Sequence, residues 1–139
     1  MEKINPVNLL RTSKLKVTAG RKHILNILIN SEYPLDVSKI VEKLKDTRVE
    51  IDQVTVYRIL EKFIKTNLIE KTEFADGKYR YEFILSGHHH HHVICVKCGL
   101  INDINNCEIN NTKKKINQDL HFKVQNHRLE FFGLCQNCQ

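Results

Sequence analysis

Two Cys-x-x-Cys pairs constrain how the C-terminal part of this 139-residue chain can fold. The first pair is Cys95 and Cys98, and the second is Cys135 and Cys138. Residues 99–134 lie between the two pairs. Each pair forms a turn tight enough to aim two sulfurs at one point, and four thiolates bind Zn(II) as a tetrahedron. In an intracellular chain this spacing indicates a metal before a disulfide. The metal would then hold the whole intervening segment together. A redox dithiol, or two unrelated motifs, are the alternatives.

Five consecutive histidines, His88 to His92, precede the first cysteine pair. Successive side chains of a strand point to opposite faces, so His90 and His92 would share one face and His89 and His91 the other. Each His-x-His pair can chelate a first-row divalent ion, which makes the run a source of two half-sites. A solvated histidine-rich loop is the alternative. The remaining ligands must come from elsewhere, and the candidates are Glu82, Asp103, Glu108 and His127.

The first half of the chain predicts three helices followed by a hairpin. Apolar residues at helical spacing predict helices over about 18–30, from about 36 or 38, and from about 52, with Asp36 as a candidate N-cap. Two strand-like segments, 68–74 and 78–85, flank the turn pair Asp76-Gly77. This order is typical of a winged helix-turn-helix. The helical hairpin could equally be a packing unit in a protein that does not bind DNA.

The pattern changes at Ser86-Gly87. Short strands over about 89–96, 101–104, 122–125 and 129–134, with one helix over about 107–120, predict a small second domain. We therefore expect an α+β fold with two domains. Residues 1–85 would form a winged helix-turn-helix DNA-binding domain, and residues 86–139 a small α/β metal-binding and dimerisation domain. A domain this small has a thin core, so a metal or dimerisation would help to stabilise it.

The formal net charge of +6 and the pI of about 9.1 permit a polyanionic partner. The chain has no apolar run of about eighteen residues, so no membrane span is expected. Residues 1–11 lack the apolar core of a secretory signal, which predicts a cytoplasmic protein. The sequence lacks three common signatures of enzymes: H-E-x-x-H, a phosphate-binding glycine loop and the H-x-E of zinc deaminases. We therefore expect neither an enzyme nor a small-molecule substrate.

Four segments in the same order resemble the ferric uptake regulator (Fur) family of bacterial metalloregulators. They are D-Q-V-T-V-Y-R-I-L (52–60), F-A-D-G-K-Y-R-Y-E (74–82), H-H-H-H-H-V-I-C-V-K-C-G (88–99) and N-H-R-L-E-F-F-G-L-C-Q-N-C (126–138). The resemblance extends from about Leu15 to Cys138.

The resemblance implies a DNA-reading helix that places Thr55, Tyr57 and Arg58 near the duplex, with Lys16 and Arg21 at backbone-contacting positions. It also implies that the four cysteines of the two pairs bind a structural Zn(II).

The same resemblance implies two further metal sites. The regulatory site would use Glu82, His90, His92 and Asp103, with Asp36 at the position where many members have a histidine. The other site would use His89, His91 and His127. Its usual acidic ligand aligns with Asn110, and Glu108 is the candidate replacement.

The function implied by the resemblance is that of a homodimeric, metal-dependent repressor of metal-uptake and homeostasis genes. It would bind a near-palindromic site in double-stranded DNA. The regulatory ion would be Fe(II) or Zn(II), with Mn(II) as a third candidate, whereas Asp36 argues against the peroxide-sensing branch. The alternative function is a zinc-stabilised protein-interaction or metal-buffering module without metal-gated DNA binding.

Overall fold

The computed structural model describes residues 4–74, 76–84, 90–105, 108–125, 127 and 129–139. The chain divides into two compact units, Met1–Ser86 and Gly87–Gln139, called here the N-terminal and C-terminal units. The N-terminal unit contains α1 (Pro6–Thr12), α2 (Ala19–Ile29), α3 (Val37–Lys45), α4 (Gln53–Lys65), β1 (Ile69–Glu73) and β2 (Tyr79–Phe83). The C-terminal unit contains β3 (His91–Cys95), β4 (Ile101–Ile104), α5 (Ile109–Leu120) and β5 (Glu130–Gly133). No helix in the described part of the chain is long and apolar enough to cross a membrane.

The four helices of the N-terminal unit each begin at a side-chain cap, which satisfies backbone N–H groups that have no partner within the helix. Asp36 caps α3 as predicted, because its Oδ1 accepts a hydrogen bond from the Lys39 N–H at 2.8 Å. The first helix, α1, is absent from the sequence prediction. Its signal is Asn5 directly before Pro6, a cap followed by proline at the first helical position.

The core of the N-terminal unit is made by the inward faces of the helices and closed by the hairpin of β1 and β2. Phe63, on α4, is the largest of its fully buried side chains. Leu35, between α2 and α3, exchanges backbone hydrogen bonds of 2.9 and 2.8 Å with Tyr81 of β2, which fixes the hairpin against the helices. The helical pair α3 and α4 followed by this hairpin confirms the predicted winged helix-turn-helix.

The turn of the hairpin is held by polar contacts. Gly77 has a φ of +72°, a conformation that favours glycine. Asp76 accepts a hydrogen bond from the Lys78 N–H at 3.0 Å. It also accepts two from the Arg80 guanidinium, at 3.0 and 2.7 Å, and these lower the pKa of its carboxyl to about 2. The carboxylate therefore stays ionised, and the turn keeps its shape, over the physiological pH range.

The C-terminal unit has a three-stranded sheet in the order β4-β3-β5. Its central strand, β3, runs antiparallel to β4 and parallel to β5. The strand predicted over residues 122–125 is wrong. There the Val124 N–H donates to Asn117 Oδ1 on α5 at 3.2 Å. This side-chain hydrogen bond replaces the one that the N–H would make to a neighbouring strand.

Few described side chains of the C-terminal unit are buried. The hydrophobic ones are Ile94 and Cys95, while α5 buries none of the side chains that the structure describes there. The imidazoles of His91 and His92 are also buried, at 5% and 7% exposure. The strand containing them begins at His91, later than the predicted residue 89, and His88 and His89 lie outside the described residues. This thin core indicates that something other than apolar packing stabilises the unit.

Phe63→Ala tests the role of α4 in the core. Because Phe63 is fully buried, its truncation should lower the free energy of unfolding of the N-terminal unit by roughly 3–5 kcal/mol. Urea denaturation followed by circular dichroism at the helical band measures this change. The control is Lys62→Ala, an exposed neighbour that should shift stability by less than about 0.5 kcal/mol. Equal effects of the two substitutions would contradict the assigned core.

Candidate metal centres and nucleic-acid interface

The four cysteines of the two Cys-x-x-Cys pairs converge within the C-terminal unit. Their sulfurs all lie within 4.8 Å of one another. Cys98 Sγ and Cys135 Sγ are 3.6 Å apart, close to the edge of about 3.8 Å expected for four sulfurs around one Zn(II) with bonds of about 2.3 Å. The donor set and its spacing therefore fit a tetrahedral zinc ion.

Local backbone geometry brings the cysteines together. The first pair follows β3 in a turn where the Gly99 N–H donates to the Cys95 carbonyl at 2.9 Å, and Gly99 has a φ of +75°. The second pair follows β5 in a similar turn, with the Cys138 N–H donating to the Cys135 carbonyl at 2.9 Å. Because β3 and β5 are parallel neighbours, both turns lie at the same end of the sheet.

The electrostatics of the four thiols are strongly interdependent. A hydrogen bond of 3.4 Å from the Cys135 N–H is the main cause that lowers the pKa of Cys95 to about 6. The neighbouring Cys135 sulfur raises the pKa of Cys138 to about 12. One thiolate is therefore favoured, while full ionisation of the cluster is opposed unless a cation compensates the charge. A bound divalent ion supplies that compensation and keeps coordinating thiols deprotonated.

A second group of donors lies on one face of the three-stranded sheet. His92 Nε2 is 3.7 Å from Asp103 Oδ1, and the ring centroids of His90 and His92 are 5.1 Å apart in an edge-to-face arrangement. Asp103 stands directly opposite His92 in the ladder of β3 and β4. The structure thus brings together three residues predicted from the histidine spacing and the family resemblance.

Glu130 is a residue that the sequence analysis missed. It lies on β5 directly beside His92 of β3, so its side chain shares the face of that imidazole. The sequence signal was a carboxylate inside an otherwise apolar strand, L-E-F-F-G. Only the parallel register of β3 and β5 indicates which histidine it accompanies.

The other face of the sheet carries part of the second predicted histidine site. His91 Nε2 and His127 Nε2 are 3.4 Å apart, and their ring centroids 5.2 Å. Glu108 is exposed at the start of α5. Among the described residues, it belongs to no group of three or more His, Cys, Asp or Glu side chains whose ligand atoms lie within 4.8 Å of one another. His89, the remaining predicted ligand, lies outside the described residues. Two of these four predicted ligands are therefore adjacent in the structure.

The two remaining predicted regulatory ligands belong to the N-terminal unit. Glu82 lies on β2, opposite Glu70 of β1. Asp36 caps α3 through Oδ1, so its carboxylate already has a structural role. Both residues are ligands predicted by the family resemblance.

The predicted DNA-reading residues lie in the first half of α4. Asp52 caps this helix, accepting from the Thr55 N–H at 2.7 Å and from the Thr55 hydroxyl at 3.0 Å. The first of these bonds is the main cause that lowers the pKa of Asp52. Tyr57 is 45% exposed and Arg58 is also exposed. Exposed residues at successive positions of a capped helix form a surface that can enter a groove of DNA.

Two further predicted contacts lie at the start of α2. The Arg21 guanidinium donates to the Lys16 carbonyl at 2.8 Å, which holds this basic side chain against the preceding loop. The Lys16 side chain is exposed. Cations placed this way are suited to contact phosphates, which position a protein on a duplex without reading its sequence.

These features define a winged-helix protein with a second, mixed α/β unit. That unit contains four cysteines whose spacing suits a metal ion. The sequence profile of the ferric uptake regulator family matches residues 12–132, and the chain belongs to this family. The family comprises metal-responsive transcription regulators. The resemblance noted in the sequence is thereby confirmed.

Known relatives match over nearly the full length of the chain. The ferric uptake regulation protein of Neisseria meningitidis serogroup A is 35% identical over 140 aligned positions, covering 100% of this chain and 96% of that protein. The Pseudomonas aeruginosa ferric uptake regulator with manganese has a TM-score of 0.79 at 26% identity, covering 96% of this chain and 99% of that one. The Helicobacter pylori regulator, described as having three functional metal binding sites, has a TM-score of 0.78 at 26% identity, with coverages of 95% and 87%.

Cys95→Ser tests the cysteine centre. Removing one thiolate should reduce tightly held zinc from about one ion per chain to nearly none, since structural zinc sites need four ligands. The C-terminal unit should lose stability because its buried apolar core is small. Elemental analysis after mild chelation and thermal unfolding measure the two effects. Cys107→Ser is the control, since this cysteine lies outside both pairs. A zinc-replete Cys95→Ser protein would contradict the assignment.

Proposed function

We propose that this protein is a homodimeric, metal-dependent transcriptional repressor of metal-uptake and homeostasis genes, acting in the cytoplasm. One observation carries the proposal: a capped helix with Tyr57 and Arg58 exposed is followed, in the next unit, by an imidazole–carboxylate group and a tetracysteine cluster. The first feature suits a groove of DNA, and the second suits a divalent ion. A regulator needs both, and membership of the family supports their combination.

The four cysteines are proposed to hold structural Zn(II). Thiolates favour zinc over harder ions, and the sulfur spacing fits its tetrahedral geometry. With a thin apolar core, the C-terminal unit would then depend on the ion for much of its folding free energy.

The regulatory ion is proposed to bind at His90, His92 and Asp103, with Glu82 and Asp36 completing the site from the N-terminal unit. Mixed imidazole and carboxylate donors suit Fe(II), Zn(II) or Mn(II). The Pseudomonas aeruginosa regulator is described with manganese, and the Helicobacter pylori regulator with three functional metal binding sites. We propose Fe(II) or Zn(II) as the physiological ion here, with Mn(II) able to occupy the same donors. His91 and His127, with His89 and Glu108, are proposed as a further site.

Dimerisation is proposed to use the C-terminal unit. Many of its large apolar side chains are exposed in the single chain, where a partner would cover them. Covering them against a second copy would bury apolar surface that the thin core leaves open. A twofold dimer would present two DNA-reading helices to a near-palindromic site, with half-sites about 34 Å apart. These exposed side chains are Val96, Leu100, Leu120, Phe122, Phe131, Phe132 and Leu134.

The proposed regulation links metal binding to the orientation of the DNA-reading helices. Glu82 lies near the end of the N-terminal unit and His90 near the start of the next, separated by seven residues in the chain. When bound, the ion provides a positive charge that carboxylates and imidazoles from both units can share. Donors from both units would then favour the relative orientation that fits DNA. A coupling of about 1–3 kcal/mol would tighten DNA binding roughly 5- to 150-fold.

Combined substitution of His90→Ala and His92→Ala tests the regulatory site. The protein should remain a zinc-containing dimer but lose the metal-dependent gain in DNA affinity, expected at roughly 5- to 150-fold in the unchanged protein. Fluorescence anisotropy with operator DNA, with and without added Fe(II), Mn(II) or Zn(II), measures this gain. If stimulation persists, these histidines are not the sensor. If neither protein responds to metal, a zinc-stabilised interaction or buffering module becomes the better description.

Arg58→Ala tests the DNA-reading helix. Loss of an exposed guanidinium from α4 should weaken DNA binding by about 1–3 kcal/mol while metal content stays the same. Binding isotherms at two salt concentrations separate a base contact from a phosphate contact, because losing a phosphate contact reduces the salt dependence. Lys114→Ala removes the same charge from an exposed position on α5 and is the control. Equal affinity of Arg58→Ala and the unchanged protein would remove Arg58 from the interface.

A further inference from the structure

The sheet of the C-terminal unit aligns three polar side chains in one row. His92 of β3 stands opposite Asp103 of β4 and beside Glu130 of β5. Laterally adjacent residues of neighbouring strands point to the same face, so an imidazole lies between two carboxylates. His92 is 7% exposed, which makes the polarity of its immediate neighbours important.

The two carboxylates flank different sides of His92. Nε2 of the ring is the nitrogen directed towards Asp103, with Oδ1 at 3.7 Å. Glu130 lies on the strand at the opposite side of β3. The two nitrogens of an imidazole point in different directions, so an acceptor beside β5 can serve the Nδ1 edge while Nε2 remains on the Asp103 side.

A histidine that binds a metal through one nitrogen generally donates its other N–H to a carboxylate, a carbonyl or water. That hydrogen bond selects the tautomer and fixes the ring plane. The row of Asp103, His92 and Glu130 contains the parts of this arrangement. On the proposed metal-binding side are Nε2, Asp103 and the neighbouring ring of His90. On the other side is the strand position of Glu130.

We infer that Glu130 is a positioning residue of the regulatory site, whose carboxylate accepts the Nδ1–H of His92 and holds Nε2 ready to bind the ion. The inference depends on the proposed regulatory role of His90, His92 and Asp103. It adds a residue that need not touch the metal and that lies wholly within the C-terminal unit. The expected effect is on metal affinity and on the His92 tautomer.

Two substitutions of Glu130 separate hydrogen bonding from direct ligation. Glu130→Leu removes the acceptor, and the affinity of the regulatory site should fall by roughly 10- to 100-fold. Glu130→Gln keeps a neutral oxygen that can still accept a hydrogen bond from the His92 Nδ1–H. Its metal affinity should therefore lie between those of Glu130→Leu and the unchanged protein. Titration of the full-length, zinc-containing protein with Co(II), followed by its visible absorption bands, measures all three affinities. Zinc content and thermal unfolding establish that each variant is folded.

The tautomer of His92 provides a readout that needs no regulatory ion. Long-range 1H–15N correlation spectra of the full-length protein should show His92 protonated at Nδ1, whereas Glu130→Leu should show a mixture of both tautomers. Asp119→Leu removes a carboxylate from an exposed position of α5 and should change neither the tautomer nor Co(II) affinity.

The outcomes distinguish this inference from the proposed function. Equal Co(II) affinity of Glu130→Leu and the unchanged protein, or an unchanged tautomer, would overturn the role of Glu130 alone. Equal losses in Glu130→Gln and Glu130→Leu would overturn it in favour of direct ligation. If combined substitution of His90 and His92 leaves Co(II) binding intact, the proposed regulatory site itself fails.

Discussion

The convergence of four cysteine sulfurs is the constraint on which the C-terminal unit depends. Its buried hydrophobic side chains, among the residues described, are Ile94 and Cys95, and its helix packs no described side chain into a core. Such a unit gains little free energy from apolar burial. The sulfurs, all within 4.8 Å of one another, lie at the adjacent ends of two parallel strands, where a shared ion would join them. Such an ion would stabilise the pairing of β3 with β5, which places Glu130 beside His92.

The N-terminal unit is stabilised in the opposite way. Fully buried Phe63 and its apolar neighbours hold α4 from one side, while Asp52 caps its first turn. This leaves Tyr57 and Arg58 on the outer surface of a rigid helix. The Leu35–Tyr81 bridge adds the hairpin to the same body. The proposed DNA-reading helix and the cysteine cluster thus belong to units with different sources of stability, so a change in one need not unfold the other.

The two proposed histidine sites differ in charge and ligand type, the properties on which metal selectivity depends. One face of the sheet combines His90 and His92 with the carboxylate of Asp103, whereas the other brings together His91 and His127. Carboxylates favour harder ions, and imidazoles alone favour zinc and its neighbours. Alternation along a single strand therefore gives two chemically different environments. A regulator could distinguish ions by which face they occupy.

The sequence by itself determined the order of elements from α2 to β4, the two cysteine pairs and the alternation of the histidines, because turn residues, Cys-x-x-Cys spacing and strand periodicity are local properties. It failed at residues 122–125, where a hydrogen bond to Asn117 replaces strand pairing, and it gave no reason to single out Glu130. The family resemblance had grouped Asp103 with His92 and His127 with His91, but only the tertiary structure decided that Asp103 and Glu130 stand on either side of His92. Strand order and register arise from contacts between segments distant in the chain, and no local pattern encodes them.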